Sequence, residues 1–272
     1  MEVNDIAHLG DLWASCIYSG INAETALEFL MEEFADHPGR YELFVGAANF
    51  SMRTGRVELA EQLFFNCLAD SLDGQWSFNQ IVRKYDNGAD GYNAESNHLS
   101  TARYFLVSAQ AYLKEKRGLT LIDAACGTGA LASCLRSYAD NLIGIELSSG
   151  MAEIARHNYD NMIIGDMCVA LNELGPIADG VFCSGAAYYF HDLTPFLRGA
   201  AGALKPGGFL MFTDFAAPDD AKVMVTIDGT KRHCRSPVLL REIAAISGFV
   251  VEGFDFSISY GLPVRIWRFI RI

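Results

Sequence analysis

The sequence predicts an α/β fold, a doubly wound, mostly parallel sheet of seven strands behind an all-α helical module, and three observations carry this reading. From about residue 118 onward, short aliphatic runs alternate with amphipathic stretches long enough to cross over a sheet. A glycine turn, Cys126-Gly127-Thr128-Gly129, follows the first of these runs and precedes the first helical stretch. Residues 11–72 hold helical periodicity alone.

In the leading segment, apolar positions fall at 3.6-type spacing in LWASCIYSG, ETALEFLMEEF, ELFVGAANFSM and VELAEQLFFNCLA, with turns at Gly20, Pro38-Gly39 and Gly55. An offset of 34 residues lays Ala26 on Ala60, Leu30 on Phe64 and Phe34 on Leu68. Paired helices at that period resemble the tetratricopeptide repeat, although an ordinary helical hairpin pair spaces Ala and Phe in the same way. Residues 73–117 bridge the two halves with two expected helices.

The strands come next. LTLIDAAC, NLIGIEL, NMIIGD, DGVFCSG and GFLMFTDF are apolar on both faces, which requires helices above and below a parallel sheet. GALASCLRSYA, SGMAEIARHNY, MCVALNEL and LTPFLRGAAGAL supply the crossovers. After the helix SPVLLREIAAISG, the runs FVVEGFDFSIS and VRIWRFIRI form a closing antiparallel pair joined through Tyr260-Gly261-Leu262-Pro263. The expected domains are therefore residues 1–75, a helical linker and cap over 76–117, and the α/β domain over 118–272.

Composition narrows the function classes. With 51% apolar and 20% charged residues among 272, the chain can build a packed core and is too apolar for disorder. A formal charge of −12 opposes phosphate backbones and anionic headgroups, so neither nucleic acid nor membrane is expected as a partner. No apolar window of membrane-spanning length and no leader pattern is present, which makes the expected location cytoplasmic. The seven cysteines (Cys16, Cys67, Cys126, Cys134, Cys168, Cys183 and Cys234) lack C-x-x-C pairs and read as reduced thiols. No metal is expected.

The glycine turn gives the backbone freedom for close ligand approach, and the helix after it offers free N–H groups to an anionic group. By itself it fits two ligand classes, because Gly127-x-Gly129-x-x-Ala132 also satisfies a dinucleotide fingerprint.

The stretch Asp123-x-Ala125-Cys126-Gly127-Thr128-Gly129 resembles motif I of the class I S-adenosylmethionine-dependent methyltransferases. Further segments over about residues 80–272 are similar to that family in the same order. The resemblance implies a Rossmann-like methyltransferase fold, S-adenosylmethionine as cofactor, and methyl transfer to O, N or C of a small metabolite. It assigns Glu146 to the ribose hydroxyls, Met151 to the adenine face and Asp166 to the adenine amino group. Asp123, Ala125, Gly127, Gly129, Leu147, Met167 and Ser184 complete the implied cofactor set, and Tyr85 and Tyr92 lie in a segment like the one that folds over the cofactor. LKPGG over 204–208 is similar to the family's loop before the fifth strand. Two departures stand out: Ala125 replaces the usual first glycine, and Asn93 stands where Asp is frequent. The whole resembles a bacterial group of methyltransferases with tetratricopeptide-type repeats, which implies no defined acceptor.

Each of these residues also has a structural role open to it. Glu146 and Asp166 can be solvated strand ends, Met151 core, and Tyr85 and Tyr92 packing on one helix face. Arg103 fits a cofactor carboxylate bidentately and equally a surface ion pair. On the acceptor side the candidates are His191 as general base beside Asp192, with Tyr188 and Tyr189. His191 is equally a helix-start residue. His233 and Arg235, in the polar loop KRHCRSP, form a second set, while Phe190 and Phe215 suit an apolar wall and Asp214 faces the cleft or its rim. Competing functions are a nicotinamide-dependent oxidoreductase, disfavoured by the lack of a Tyr-x-x-x-Lys pair, a protein-binding module, and a methyltransferase-like fold with non-methylating chemistry. The repeats also suit recruitment of a protein or carrier-bound substrate, or self-association.

Overall fold

The computed structural model describes residues 116–217, 222–227, 230–259 and 262–272, together with 51, 85, 86, 88, 89, 92, 105–110, 112 and 113. The repeat reading of residues 1–75 lies outside these apart from Ser51, and so does Arg103. By compactness the chain divides into residues 1–70 with 256–264, and residues 71–255 with 265–272. Of the first unit, the described part is Ser51 and the adjoining tips of the last two strands. The second unit holds the sheet core described here.

Nine strands are present among the described residues: β1 (Leu119–Ala124), β2 (Ala139–Glu146), β3 (Asn161–Ile164), β4 (Ala178–Cys183), β5 (Leu204–Ala216), β6 (Lys222–Ile227), β7 (Thr230–Arg235), β8 (Phe249–Ser259) and β9 (Leu262–Arg271). Their order is β3-β2-β1-β4-β5-β7-β6, with β9 pairing β5 and β8. All pairs from β3 through β5 are parallel, with registers such as Ile122↔Ile143 and Ile122↔Val181. Because β1 lies between β2 and β4, the chain reverses its winding direction there. That leaves a crevice at the carboxyl ends of β1 and β4.

Strand alternation sorts the core into two layers. Ile122, Ile143, Val181, Leu210 and Phe212 face one side, covered by α3 (Met167–Leu174) and α4 (Thr194–Ala203) through Leu171, Phe196, Leu197 and Ala200. Leu121, Leu142, Phe182, Phe209 and Met211 face the other, where α1 (Ala132–Leu135) packs with Phe105, Ala109 and Leu113. The last three recur every fourth residue, as one stripe of a helix does. Each fully buried Leu, Ile or Phe here contributes about 1.5–3 kcal/mol. Close approach is built in at Gly180, where a Cβ would lie 2.5 Å from the Phe209 ring. Helix starts are capped locally: Ser148 accepts from Met151 N–H at the start of α2 (Ser149–Ala155), and Ser236 accepts from Leu239 N–H at α5 (Pro237–Ile246).

Four sequence expectations are corrected. The helix expected over GALASCLRSYA shrinks to four residues, because i→i+3 bonds such as Ala132 N–H to Gly129 O and Tyr138 N–H to Leu135 O wind its flanks as turns. The seven-stranded expectation becomes nine strands because KRHCRSP is not a loop: Lys231–Arg235 lie in β7, antiparallel to β6 and parallel to β5 at Phe215↔Cys234. Hydropathy conceals this strand because two of its buried positions are Arg232 and Arg235. LKPGG is continuous with β5, which bulges between the pairs Ala178↔Leu204 and Gly180↔Phe209. The closing link is also shorter than expected, since β9 already begins at Leu262.

Ala125 is the one non-glycine residue with positive φ among the described residues, at 60°. That conformation costs an L-residue roughly 1–2 kcal/mol. Ala125→Gly is therefore expected to stabilise the fold by about 0.5–1 kcal/mol, the strain relief exceeding the entropy that glycine adds to the unfolded chain. Denaturant titration checks this, and a loss of stability would contradict it.

Candidate active site

A cavity of about 260 Å³ opens at the crevice beyond the carboxyl ends of β1, β2 and β4. The β1 turn contributes Ala125 and Gly127, and β2 contributes Ile145, Glu146 and Leu147. Met151 comes from α2, while Gly165, Asp166 and Met167 come from the β3–α3 junction. The loop after β4 contributes Ser184, Gly185, Ala186, Tyr189 and Phe190, and Tyr85 and Tyr92 complete the lining.

Glu146 ties this arrangement together. Its Oε2 accepts the Gly127 N–H at 2.7 Å and its Oε1 accepts the Ser148 N–H at 2.9 Å, so the ends of β1 and β2 share one carboxylate. Burial raises its pKa, and the Ser148, Gly127 and Leu147 amides pull it back. A carboxylate has about four lone-pair directions, so it keeps acceptor capacity toward the cavity. Asp166 also has two duties: its Oδ1 caps α3 by accepting from Cys168 and Val169 N–H at 2.7 and 3.2 Å, while the residue lines the cavity. Asp86, beside Tyr85, accepts from the Ser148 hydroxyl at 2.5 Å and from the Gly150 N–H at 3.2 Å. This clamps the Tyr85 segment onto the start of α2.

Two motif residues face away from the cavity. Asp123 is buried in β1, where its Oδ2 accepts the Tyr159 hydroxyl at 2.7 Å and its Oδ1 has no partner. Burial pushes its carboxyl up to about 7, against the pull of the Tyr159 hydrogen bond. At Gly129 (φ 87°) a Cβ would meet Asn158 Nδ2 at 2.9 Å, so this glycine serves close packing of the turn. Burial likewise pushes the neighbouring Cys126 thiol up, which makes it a poor nucleophile.

A second part of the lining is aromatic, and it begins beside the Glu146 turn, where a Cβ on Gly127 would meet the Tyr92 ring at 3.8 Å. The Tyr85 and Tyr189 hydroxyls are 2.6 Å apart, and Tyr92 meets Tyr85 edge-on at 6.0 Å. Tyr188 is buried behind Tyr189, 4.7 Å from the Phe215 ring between centroids. His191 is exposed and does not line the cavity, its ring lying 5.4 Å from that of His233. Asp192 accepts the Thr194 N–H at 2.9 Å, and hydrogen bonding from the Thr194 side chain and then from this N–H holds its pKa low. Among the described residues, no group of three or more His, Cys, Asp or Glu converges as metal ligands would, and no helix is long and apolar enough to cross a membrane.

Several contributors were missed by sequence reasoning. Ile145 and Gly165 line the cavity through their places beside Glu146 and Asp166, a signal that strand ends carry. Arg232, fully buried, places its guanidinium 4.0 Å from the Tyr189 ring centroid. Nothing local in the sequence pairs it with that tyrosine.

Residues 122–212 match the family model described as a methyltransferase domain. The chain is similar to a demethylmenaquinone methyltransferase of Bacteroides fragilis, 28% identical over 170 residues covering 58% of this chain and 69% of that protein. It is also similar to a dTDP-4-amino-2,3,4,6-tetradeoxy-D-glucose N,N-dimethyltransferase of Saccharopolyspora spinosa, 32% identical over 138 residues covering 49% of this chain and 53% of that one. In fold it is similar to the Burkholderia thailandensis 1,6-didemethyltoxoflavin-N1-methyltransferase crystallised with its substrate and S-adenosylhomocysteine, with a TM-score of 0.57, 16% identity, and coverage of 75% of this chain and 93% of that one.

Two outcomes follow for the buried acids. Glu146→Ala removes the acceptor of two backbone N–H groups that shape the cavity, so S-adenosylhomocysteine affinity measured by calorimetry should fall about 10- to 100-fold. Asp123, with its folded pKa raised above the unfolded value, contributes stability at low pH that is lost as the pH climbs through about 7. The melting temperature of Asp123→Asn relative to the parent should therefore rise between pH 4 and pH 8. A flat difference would mean that Asp123 is not charged at a cost.

Proposed function

We propose that this S-adenosylmethionine-dependent methyltransferase methylates a small, planar, largely apolar metabolite seated against Tyr85, Tyr189 and Phe190. When bound, the cofactor supplies a methyl group already activated on a sulfonium. The residues fit it: a buried carboxylate with spare acceptor capacity at Glu146, an acid at Asp166 and the apolar side chain of Met151 line the same cavity. Asp123, Gly127, Gly129 and Ala125 shape the turn beside Glu146, Leu147 and Met167 add apolar wall, and Ser184 stands at the start of the loop after β4.

The observation that carries the acceptor reading is the chemistry of the aromatic part of the lining. The titratable groups that the described residues bring to this cavity are Glu146, Asp166 and the phenols of Tyr85, Tyr92 and Tyr189. Aromatic rings favour a flat apolar ligand, and the paired Tyr85 and Tyr189 hydroxyls offer a donor and an acceptor that orient its attacking atom. Their work is alignment and exclusion of water, which suits an acceptor that arrives already ionised, such as the phenolate of a hydroxyarene whose proton is lost to solvent before it binds. His191 stands outside this arrangement, while Tyr188 supports Tyr189 from behind. The similarity to an enzyme named for a demethylmenaquinone supports an aromatic acceptor, and the similarity to one named for an amino sugar makes amino sugars the competing class.

A panel of short-chain demethylmenaquinol, simple phenols and nucleotide amino sugars, assayed for S-adenosylhomocysteine release, tests this. Turnover is expected with the first two classes and not with the amino sugars. Release only with a protein or carrier-bound acceptor would overturn the reading. Tyr189→Phe, which removes one hydroxyl, should lower kcat/KM about tenfold while leaving S-adenosylhomocysteine affinity within threefold. His191→Ala should retain turnover across the pH range.

A further inference from the structure

Three consecutive residues at the end of β5 hold the loop that follows β4. The Thr213 hydroxyl oxygen accepts the Gly185 N–H at 2.7 Å, and Phe215 packs its ring on Tyr188. Between them Asp214 is fully buried and points to β7. There one guanidinium nitrogen of Arg235 donates to both of its carboxylate oxygens, at 2.8 and 2.9 Å. The second terminal nitrogen of Arg235 donates to the backbone carbonyl of Phe190. Arg235 is 3% exposed, and its own carbonyl accepts from Ala217 N–H at 3.2 Å and from the Arg265 guanidinium at 3.4 Å. The guanidinium is thus bonded to Asp214 of β5 on one terminal nitrogen and to the Phe190 carbonyl on the other, while the Arg235 backbone is tied to β9 through Arg265.

We propose that Arg235, held by Asp214, is a positioning residue that sets the Tyr189–Phe190 wall and with it the fit of the methyl acceptor. The inference rests on the reading above that this wall meets the acceptor. A buried ion pair is a poor stabilising device, since both partners lose hydration and an apolar pair of similar volume often serves as well. What an apolar pair cannot do is donate a directed hydrogen bond to a carbonyl. Arg235 does this for a residue that lines the cavity, through a planar fork whose orientation Asp214 determines. Arg232, three residues earlier on β7, stacks on Tyr189, so the same strand supports both wall residues. Among the interactions described, none joins Asp214 or Arg235 directly to Glu146, Gly127 or Met151, and the connection runs through Tyr189, Tyr85, Asp86 and Ser148.

The experiment compares the full chain with Arg235→Lys and with the double variant Asp214→Leu/Arg235→Met. The double variant removes both charges of the pair together, and Arg265, whose charge also lies near Asp214, keeps its hydrogen bonds to the Ala217 and Arg235 carbonyls, so the variant is expected to fold. The protein carries 3-fluorotyrosine, with the Tyr189 and Tyr92 fluorine resonances assigned by Tyr189→Phe and Tyr92→Phe. In both variants the Tyr189 resonance should move while that of Tyr92 stays, and S-adenosylhomocysteine affinity should remain within twofold. With short-chain demethylmenaquinol, kcat/KM should fall at least tenfold, mainly through KM. An unmoved Tyr189 resonance, a parallel loss of cofactor affinity, or a double variant that fails to fold would each overturn the proposal. If the parent chain does not turn over the quinol, the acceptor reading fails on its own and the two resonances still decide the role of Arg235.

Discussion

The carboxylate of Glu146 is the constraint on which the cavity depends. By accepting N–H groups from Gly127 and Ser148, it locks the turn after β1 to the start of α2. The Asp86 carboxylate then bonds the Ser148 hydroxyl and the Gly150 N–H, which brings Tyr85 over the same site. A buried acid is costly unless its oxygens are occupied. Here the occupation is partial, with backbone donors on one side and a cavity on the other. A ligand presenting hydroxyl donors would complete it, which is what the proposed seating of the cofactor beside Glu146 requires.

The aromatic part of the lining is held by a different kind of interaction. Hydrogen bonds and ring contacts from three successive residues of β5 fasten the loop after β4, and the buried Arg235 joins it to the inserted hairpin β6–β7. One part of the cavity is therefore built from strand termini and a helix cap, where backbone N–H groups dominate. The other is built from side chains that reach across from neighbouring strands.

Much of the site was legible because the signals are local. Glycines at Gly127 and Gly129, an acid at the last position of β2 and an acid before α3 are each readable within a few residues of a strand end. Side-chain direction was less legible. Asp123 and Gly129 belong to the motif, yet one meets Tyr159 and the other packs against Asn158. His191 follows the loop that lines the cavity but turns toward His233. Strand β7 was hidden for a related reason: its buried positions carry guanidinium groups, whose partners are Asp214, 21 residues away, and aromatic rings of the β4 loop.

The amino-acid sequence alone determined the strand and helix alternation, the parallel character of the strands through β5 and the glycine turn beside an acid, because periodicity and positive φ act between near neighbours in the chain. Only the tertiary structure decided which side chains reach the cavity, that Ala125 would bear the strained conformation, and that Arg235 would end on the carbonyl of Phe190. Those outcomes depend on distances between segments remote in sequence, and a backbone carbonyl leaves no mark in the sequence by which its partner can be found.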